Sequence, residues 1–384
     1  MTFQTDPPPW TGSVYLDTVS SESLHPMARQ TLLDALEQGF ADPLRLHRQG
    51  RTARLLLDNA REVVADVLGA RPDEVTFTGS GTAAVHLGVL GLLMGRRRVS
   101  GRLVHSAVEH SAVLAAGTWW AGHFGGSLES VPVDGLGRIS LAALRAALAG
   151  GPAGVVAVQL ANQEVGTLQP VAEAAGLAEA AGVPLFVDAS AAAGRTDLPA
   201  GWSAAGASAH RWGGPAGVGV LLVRKGSRWR APFPVDDRID PRTSGFENVP
   251  AVLASAAALQ AVVAERAEVG GRQRALVDRI RAGVSALPDV DLVGDPVHRL
   301  PHVVAFSCLY VEGEALVTEL DRRGFAVASG SACTASTLEP SHVLVAMGAL
   351  THGNVRVSLG RDTSEGDVDR LLAVLPDVLG DLRP

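Results

Sequence analysis

The sequence predicts an α/β fold, a mainly parallel sheet of the seven-stranded type with helices on both faces, followed by a smaller C-terminal α+β domain. Three observations carry this. Short Val- and Leu-rich runs alternate with alanine-rich stretches through the first two-thirds of the chain. Each run closes on a polar or glycine-containing turn. From Asn248 onward the alternation gives way to long helical patterns.

The strand-like runs are Glu74–Thr78, Arg102–Ser106, Val155–Leu160, Pro184–Asp188 and Val218–Val223, with Leu141–Ala149 and Val171–Ala181 as helices between them. Strand–helix–strand order favours parallel pairing, and ligands of such sheets sit past the carboxyl ends of the strands. Beyond Asn248, Val252–Val269 and Arg272–Leu287 read as two long helices. A strand at Val303–Ser307, a helix at Gly313–Arg323 and a final helix at Glu365–Leu379 follow. The expected organisation is an N-terminal arm at 1–14, a large domain at 15–250 and a small domain at 251–384.

Composition narrows the function classes. The chain has 384 residues, with Lys+Arg 33 against Asp+Glu 40 and a net charge of -7. A basic nucleic-acid footprint is therefore not expected. The apolar stretch from Ala83 to Met94 is broken by His86 and falls short of the roughly 20 residues a membrane span needs, so no membrane association is expected. Met1 to Trp10 is polar and proline-rich and reads as a loose arm, not a leader. Two cysteines, Cys308 and Cys333, are too few for a disulfide framework and suit a reducing cytoplasm. Eleven histidines are scattered without ligand spacing, so no metal is expected. Lys225 is the only lysine.

Several motifs follow strands. Phe77-Thr78-Gly79-Ser80-Gly81-Thr82 can bring backbone amides and a hydroxyl to an anion, although a plain glycine-rich turn has the same letters. His110, after Glu109, is a ring at the functional edge or a helix cap. Asp188 is a carboxylate at a strand end or an N-cap. Ser208-Ala209-His210-Arg211 leads into the next strand. Ser329-Gly330-Ser331-Ala332-Cys333 is a small-residue loop that suits a mobile, accessible thiol, whereas Cys308 sits in an apolar run as a small buried residue.

In this order the motifs resemble the cysteine desulfurases of the NifS/IscS type, in the class V aminotransferase family of fold-type I pyridoxal-phosphate enzymes. The resemblance runs from about Tyr15 to Leu379. It includes Tyr15-Leu16-Asp17, Glu109-His110, Asn162-Gln163-Glu164-Val165-Gly166, Val187-Asp188-Ala189, Ser208-Ala209-His210, Ser329–Pro340 and Arg356-Val357-Ser358-Leu359-Gly360. It implies that Gly81, Thr82, Ser208 and His210 hold the cofactor phosphate. His110 would stack on the pyridine ring, Gln163 would lie at the ring, and Asp188 would pair with its nitrogen. Asn162 and Arg356 would bind the substrate, Arg356 by clamping its carboxylate. Cys333 would take the substrate sulfur as a persulfide, with a sulfur-acceptor protein as partner. The family builds its sites across a homodimer, in which Phe246 would face the partner's pocket.

The chain departs from that pattern. The family's cofactor-tethering lysine follows the Ser-x-His motif, where this sequence has Arg211. A guanidinium with a pKa above about 12 supplies no neutral amine. Lys225 lies beyond a strand, some 20 Å from the pocket end at about 3.3 Å per residue, and does not substitute. Asp188-Ala189-Ser190-Ala191 lacks the family glutamine, Gln163 replaces an asparagine, and Phe246 replaces a phosphate-binding threonine. The expectation is a degenerate homologue without a covalently bound cofactor, keeping the fold and Cys333 for sulfur handling, scaffolding or regulation. Two alternatives stand beside it: a desulfurase that binds pyridoxal phosphate non-covalently, and a different enzyme using Arg211 to bind an anion. If the cofactor is absent, Arg211 is expected to contact Asp188.

Overall fold

The computed structural model describes residues 12–235, 240–242, 245–329 and 340–383. After β1 (Val14–Tyr15) come helices α1 (Pro26–Gln38) and α2 (Arg48–Leu68), and the main sheet opens with β2 (Val75–Thr78). Helix and strand then alternate through α3 (Gly81–Arg96), β3 (Arg102–Ser106), α4 (Ser111–Phe124), β4 (Ser127–Val131), α5 (Leu141–Ala149) and β5 (Val155–Gln159). α6 (Val171–Ala180), β6 (Leu185–Asp188), β7 (Ala204–Ser208) and β8 (Gly219–Val223) complete it.

The seven strands lie in the order β2-β8-β7-β6-β5-β3-β4. All pairings are parallel except those of β8, which runs against β2 and β7. Only residues 209–218 separate β7 from β8, fewer than a parallel crossover requires. Side chains alternate between two cores. Val156, Val158, Leu185 and Val187 pack in the cluster shared with α2, α5 and α6. Val155, Ala157 and Phe186 pack against α3 and α4.

The sequence reading overlooked β7. Its residues are Ala-Ala-Gly-Ala-Ser, without a branched or aromatic side chain. The Phe186 ring on the adjacent strand demands that smallness, since a Cβ on Gly206 would lie 3.3 Å from its Cζ.

The small domain contains the second half of α7 (Val249–Ser285), then β9 (Val290–Val293), β10 (Val303–Cys308), α8 (Gly313–Arg322), β11 (Phe325–Ala326), α9 (His342–Met347), β12 (Asn354–Ser358) and α10 (Glu365–Leu382). The two helices expected at 252–269 and 272–287 are one helix, α7. Gly270 and Gly271 each cost about 1 kcal/mol against alanine, and two apolar cores outweigh that. Val249, Val252 and Leu259 pack in the large-domain cluster, while Leu276, Val277, Ile280 and Val284 pack in the small-domain cluster. The helix is long and apolar enough to cross a membrane by composition, but its apolar positions are claimed by these cores.

The N-terminal segment joins the two parts. β1 pairs in parallel with β11, and Leu16 lies in the small-domain core. The following residues form a strap. Val19 N–H donates to Ser358 Oγ at 3.0 Å. Glu22 N–H donates to the His210 carbonyl, and His25 N–H to that of Gly213, each at 2.8 Å.

Candidate active site

Five parallel strands end beside one another, and their following residues line a single cavity. β2 leads through Gly79-Ser80 into α3. Ser80 caps that helix by accepting the Ala83 amide at 3.0 Å, which leaves the amides of its first turn facing the cavity. β3 leads to His110, the N-cap of α4, whose Nδ1 accepts the Ala112 amide at 3.1 Å. β5 ends at Gln159, β6 at Asp188 and β7 at Ser208. The short turn after β7 carries His210 and Arg211.

The cavity brings together Gly81, Thr82, His110, Gln163, Asp188, Ser208, His210 and Arg211, all expected from sequence. It adds Ser80 and Gln159, which sequence reasoning did not select. Both stand at the junction where a strand run ends, which is the signal that could have found them.

Asp188 is buried, and its Oδ1 accepts the Ser190 amide at 2.9 Å. Ser208 Oγ and His210 Nδ1 lie 3.0 Å apart. Burial holds His210 below the ordinary histidine range, and Arg211 adds to the effect. Burial likewise lowers His110, with Asp188 opposing and Arg211 and His342 reinforcing the shift. Burial thus favours the neutral form of both rings. Arg211 and Asp188 share the cavity wall.

Two expected substrate-binding residues lie outside this cavity. Asn162 is fully buried and shapes the turn after β5. Its Oδ1 accepts the amides of Glu164 at 2.8 Å and Val165 at 2.9 Å, and its Nδ2 donates to the Val108 carbonyl at 3.2 Å. Arg356, on β12, donates through Nη1 to the Gln163 carbonyl at 3.0 Å and through Nη2 to Asp17 and Ser20. The guanidinium thus knits the strap to the turn that bears Gln163. Cys333 lies outside the described residues. Phe246 is exposed and lines a groove with Gly79 and His86, behind the turn between β2 and α3.

Lys225 is remote from the cavity. Because β8 runs antiparallel, Val223 pairs with Ala204 at the opposite edge of the sheet. Lys225 follows it there and pairs with Asp73 at 3.8 Å.

Fold and cavity together define the pyridoxal-phosphate transferase architecture of fold-type I. The chain belongs to the aminotransferase class-V family, which matches residues 14–371. Within it the chain is similar to cysteine desulfurases. It is 38% identical over 382 residues to the IscS-like cysteine desulfurase of Mycobacterium tuberculosis, covering 96% of this chain and 97% of that protein. To the cysteine desulfurase of Cereibacter sphaeroides it is 37% identical over 383 residues, covering 96% of each. A solved NifS-like protein superposes with a TM-score of 0.88 at 26% identity, covering 96% of this chain and all of that one.

The family's cofactor fits the cavity in part. A Cβ on Gly81 would lie 2.4 Å from Ser208 Cβ, so only glycine lets the start of α3 approach Ser208 this closely, and Ser80, Gly81, Thr82 and Ser208 line the cavity side by side. His110 and Asp188 stand on the same cavity. The aldehyde end does not fit, because the side chain at the turn after β7 is a guanidinium.

Proposed function

We propose that this protein is a sulfur-handling member of the cysteine desulfurase lineage that works without a lysine-tethered cofactor. One observation carries the reading: Arg211 occupies the cavity wall at the turn after β7, while the chain's single lysine lies at the opposite sheet edge. A guanidinium cannot become the amine that covalent catalysis on a carbonyl cofactor needs.

The residues that remain support anion binding. The first turn of α3 offers backbone amides, Ser208 a hydroxyl and Arg211 a positive charge, all on one cavity. In this reading Cys333 is the working thiol. Its thiolate attacks the outer sulfur of a small-molecule or protein persulfide, forming a new S–S bond, and the donor leaves as its own thiolate. Redox state is conserved, and no lysine takes part. Cys308 is the internal contrast: it is buried in β10, and burial pushes its thiol up to about 11.

Self-association follows from the same lineage. Met27, Leu33, Leu36, Phe40, Leu46 and Leu55 are exposed apolar residues on α1, on α2 and between them. A second copy of the chain would bury them, giving a homodimer. A sulfur-acceptor protein is the further partner this chemistry calls for, in a reducing cytoplasm.

The test is reconstitution with pyridoxal phosphate, borohydride reduction and intact-mass measurement, alongside sulfide release from L-cysteine. The expected result is no covalent adduct and no sulfide at ordinary turnover. Glutathione persulfide should instead label Cys333 and spare Cys308, with Cys333→Ser as control. An adduct on the chain, or turnover of cysteine, would overturn the reading.

A second reading, non-covalent binding of the phosphorylated cofactor, is favoured by the cradle between Gly81 and Ser208. It predicts thermal stabilisation that pyridoxal phosphate and inorganic phosphate both produce.

A further inference from the structure

A second cavity lies where the strap, α7 and the segment before β10 meet, and no residue that lines it lines the one already described. The turn after β7 gives Arg211 to the first cavity and Trp212 to the second. The walls are apolar at Trp212, Val262, Val269 and Pro301, and polar groups include His25, Glu265 and Arg361. The strap delivers His25, the N-cap of α1, which is only 3% exposed. Arg361 follows β12.

The His25 ring stands between two donors. Its Nδ1 faces the Met27 amide at 3.1 Å, and its Nε2 faces Arg361 Nη1 at 2.8 Å. A neutral imidazole has one N–H and one accepting nitrogen, and a charged one has two N–H groups. In every protonation state, therefore, at least one N–H points at another N–H. The helix cap decides where: Nδ1 accepts the Met27 amide, so the Nε2 hydrogen meets the guanidinium. Glu265 Oε2 stands 3.5 Å from both nitrogens, too far to accept a good hydrogen bond from either. The neighbouring cations are already taken, Arg195 by Glu22 and Arg266 by Asp197 at 2.6 Å. Arg361 Nε reaches Asp362 at 3.4 Å, which leaves Nη1 against the ring.

We propose that this second cavity is a binding site for a small monocarboxylate with a short apolar tail. The two oxygens of one carboxylate accept from His25 Nε2–H and Arg361 Nη1–H together, and the facing hydrogens give way to two charge-assisted bonds. The tail rests on Trp212, Val262, Val269 and Pro301, which gives the few polar anchors and apolar walls of a ligand pocket. A divalent anion fits less well, because Glu22 and Glu265 already place two carboxylates on the wall. A water molecule answers the ring and the guanidinium but leaves the apolar walls unused. The inference is independent of the chemistry of the first cavity.

The test is isothermal titration of the full-length protein with isovalerate, in excess inorganic phosphate to occupy the first cavity. Isovalerate is expected to bind saturably at one site per chain. Isovaleramide, which lacks the charge, and acetate, which lacks the tail, should each bind at least about tenfold less tightly. Arg361→Gln should weaken isovalerate at least about tenfold, and Val269→Trp, which fills the cavity, should abolish its binding. In the wild type, isovalerate should shield Arg361 from phenylglyoxal and isovaleramide should not, a readout that stands if either variant fails to fold. Absence of saturable binding would assign the cavity to water and overturn the proposal. Equal affinity in Arg361→Gln or absence of shielding would do the same. So would displacement of isovalerate by pyridoxal phosphate, which would move the site to the first cavity.

Discussion

The Ser341 hydroxyl donates to Glu164 Oε2 at 2.5 Å, spanning the joint between the small domain and the turn after β5. The same hydroxyl oxygen caps α9 by accepting the Leu344 amide at 3.3 Å. The neighbouring His342 Nε2 donates to the Glu109 carbonyl at 2.9 Å. These bonds fix the start of α9 to the wall of the cavity.

Ser341→Ala removes both the cap and the bond to a buried carboxyl. A lost cap costs about 1 kcal/mol, and a buried group left without its partner costs about 1–3 kcal/mol. The expected destabilisation is about 2–4 kcal/mol by urea unfolding with an unchanged m-value. A change below about 0.5 kcal/mol would mean the joint is held elsewhere.

The sheet strands with Val and Leu on both faces were readable because burial on two sides leaves a continuous apolar run. Arg102–Ser106 matches β3 to the residue. β4 was not readable, since Ser127–Val131 lies at the sheet edge with polar, partly exposed positions. The cavity was legible for a different reason: its residues follow strand ends, and strand ends can be counted. The partners of Arg356 and Asn162 were not readable, because a sequence carries no record of which donors neighbouring carbonyls have already taken. Asp17, Ser20 and the Gln163 carbonyl occupy Arg356 from two distant segments.

Arg211→Lys should restore an amine to the cavity wall. Pyridoxal phosphate is then expected to give a borohydride-stable adduct on residue 211, detected by peptide mass spectrometry, where the wild type gives none. Lys225→Arg should leave both results unchanged, because that side chain lies at the other sheet edge. An adduct on Lys225 in the wild type would contradict the geometry.

Gly81→Ala tests the cradle. Helix propensity favours alanine by up to about 1 kcal/mol, but the new Cβ would meet Ser208 Cβ at 2.4 Å and its Oγ at 2.7 Å. Overpacking of that kind costs about 1–3 kcal/mol, so the clash wins and α3 shifts away from β7. Phosphate-dependent thermal stabilisation should fall or vanish, while stabilisation equal to wild type would show that the anion does not sit there.

Glu109 gives the chain a stability that declines with rising pH. Its carboxyl is fully buried, and burial pushes it up to about 8, with the Asp188 charge adding to the rise and the Gln159 amide opposing it. The folded state therefore keeps this proton through a window, from about 4.5 to about 8, in which the unfolded chain has released it. Its contribution is complete below the unfolded value and is lost as pH climbs through the folded one, with a slope approaching about 1.4 kcal/mol per unit. Buried Glu22 and Glu164 act in the same direction, while the lowered histidines His110, His210 and His302 act in the opposite one. The informative quantity is thus the difference between Glu109→Gln and wild type. The amide cannot titrate and still accepts the Gln159 N–H, so urea unfolding between pH 5 and pH 8 should show a flatter decline in the variant. Parallel pH profiles would mean that Glu109 is ionised in the folded chain.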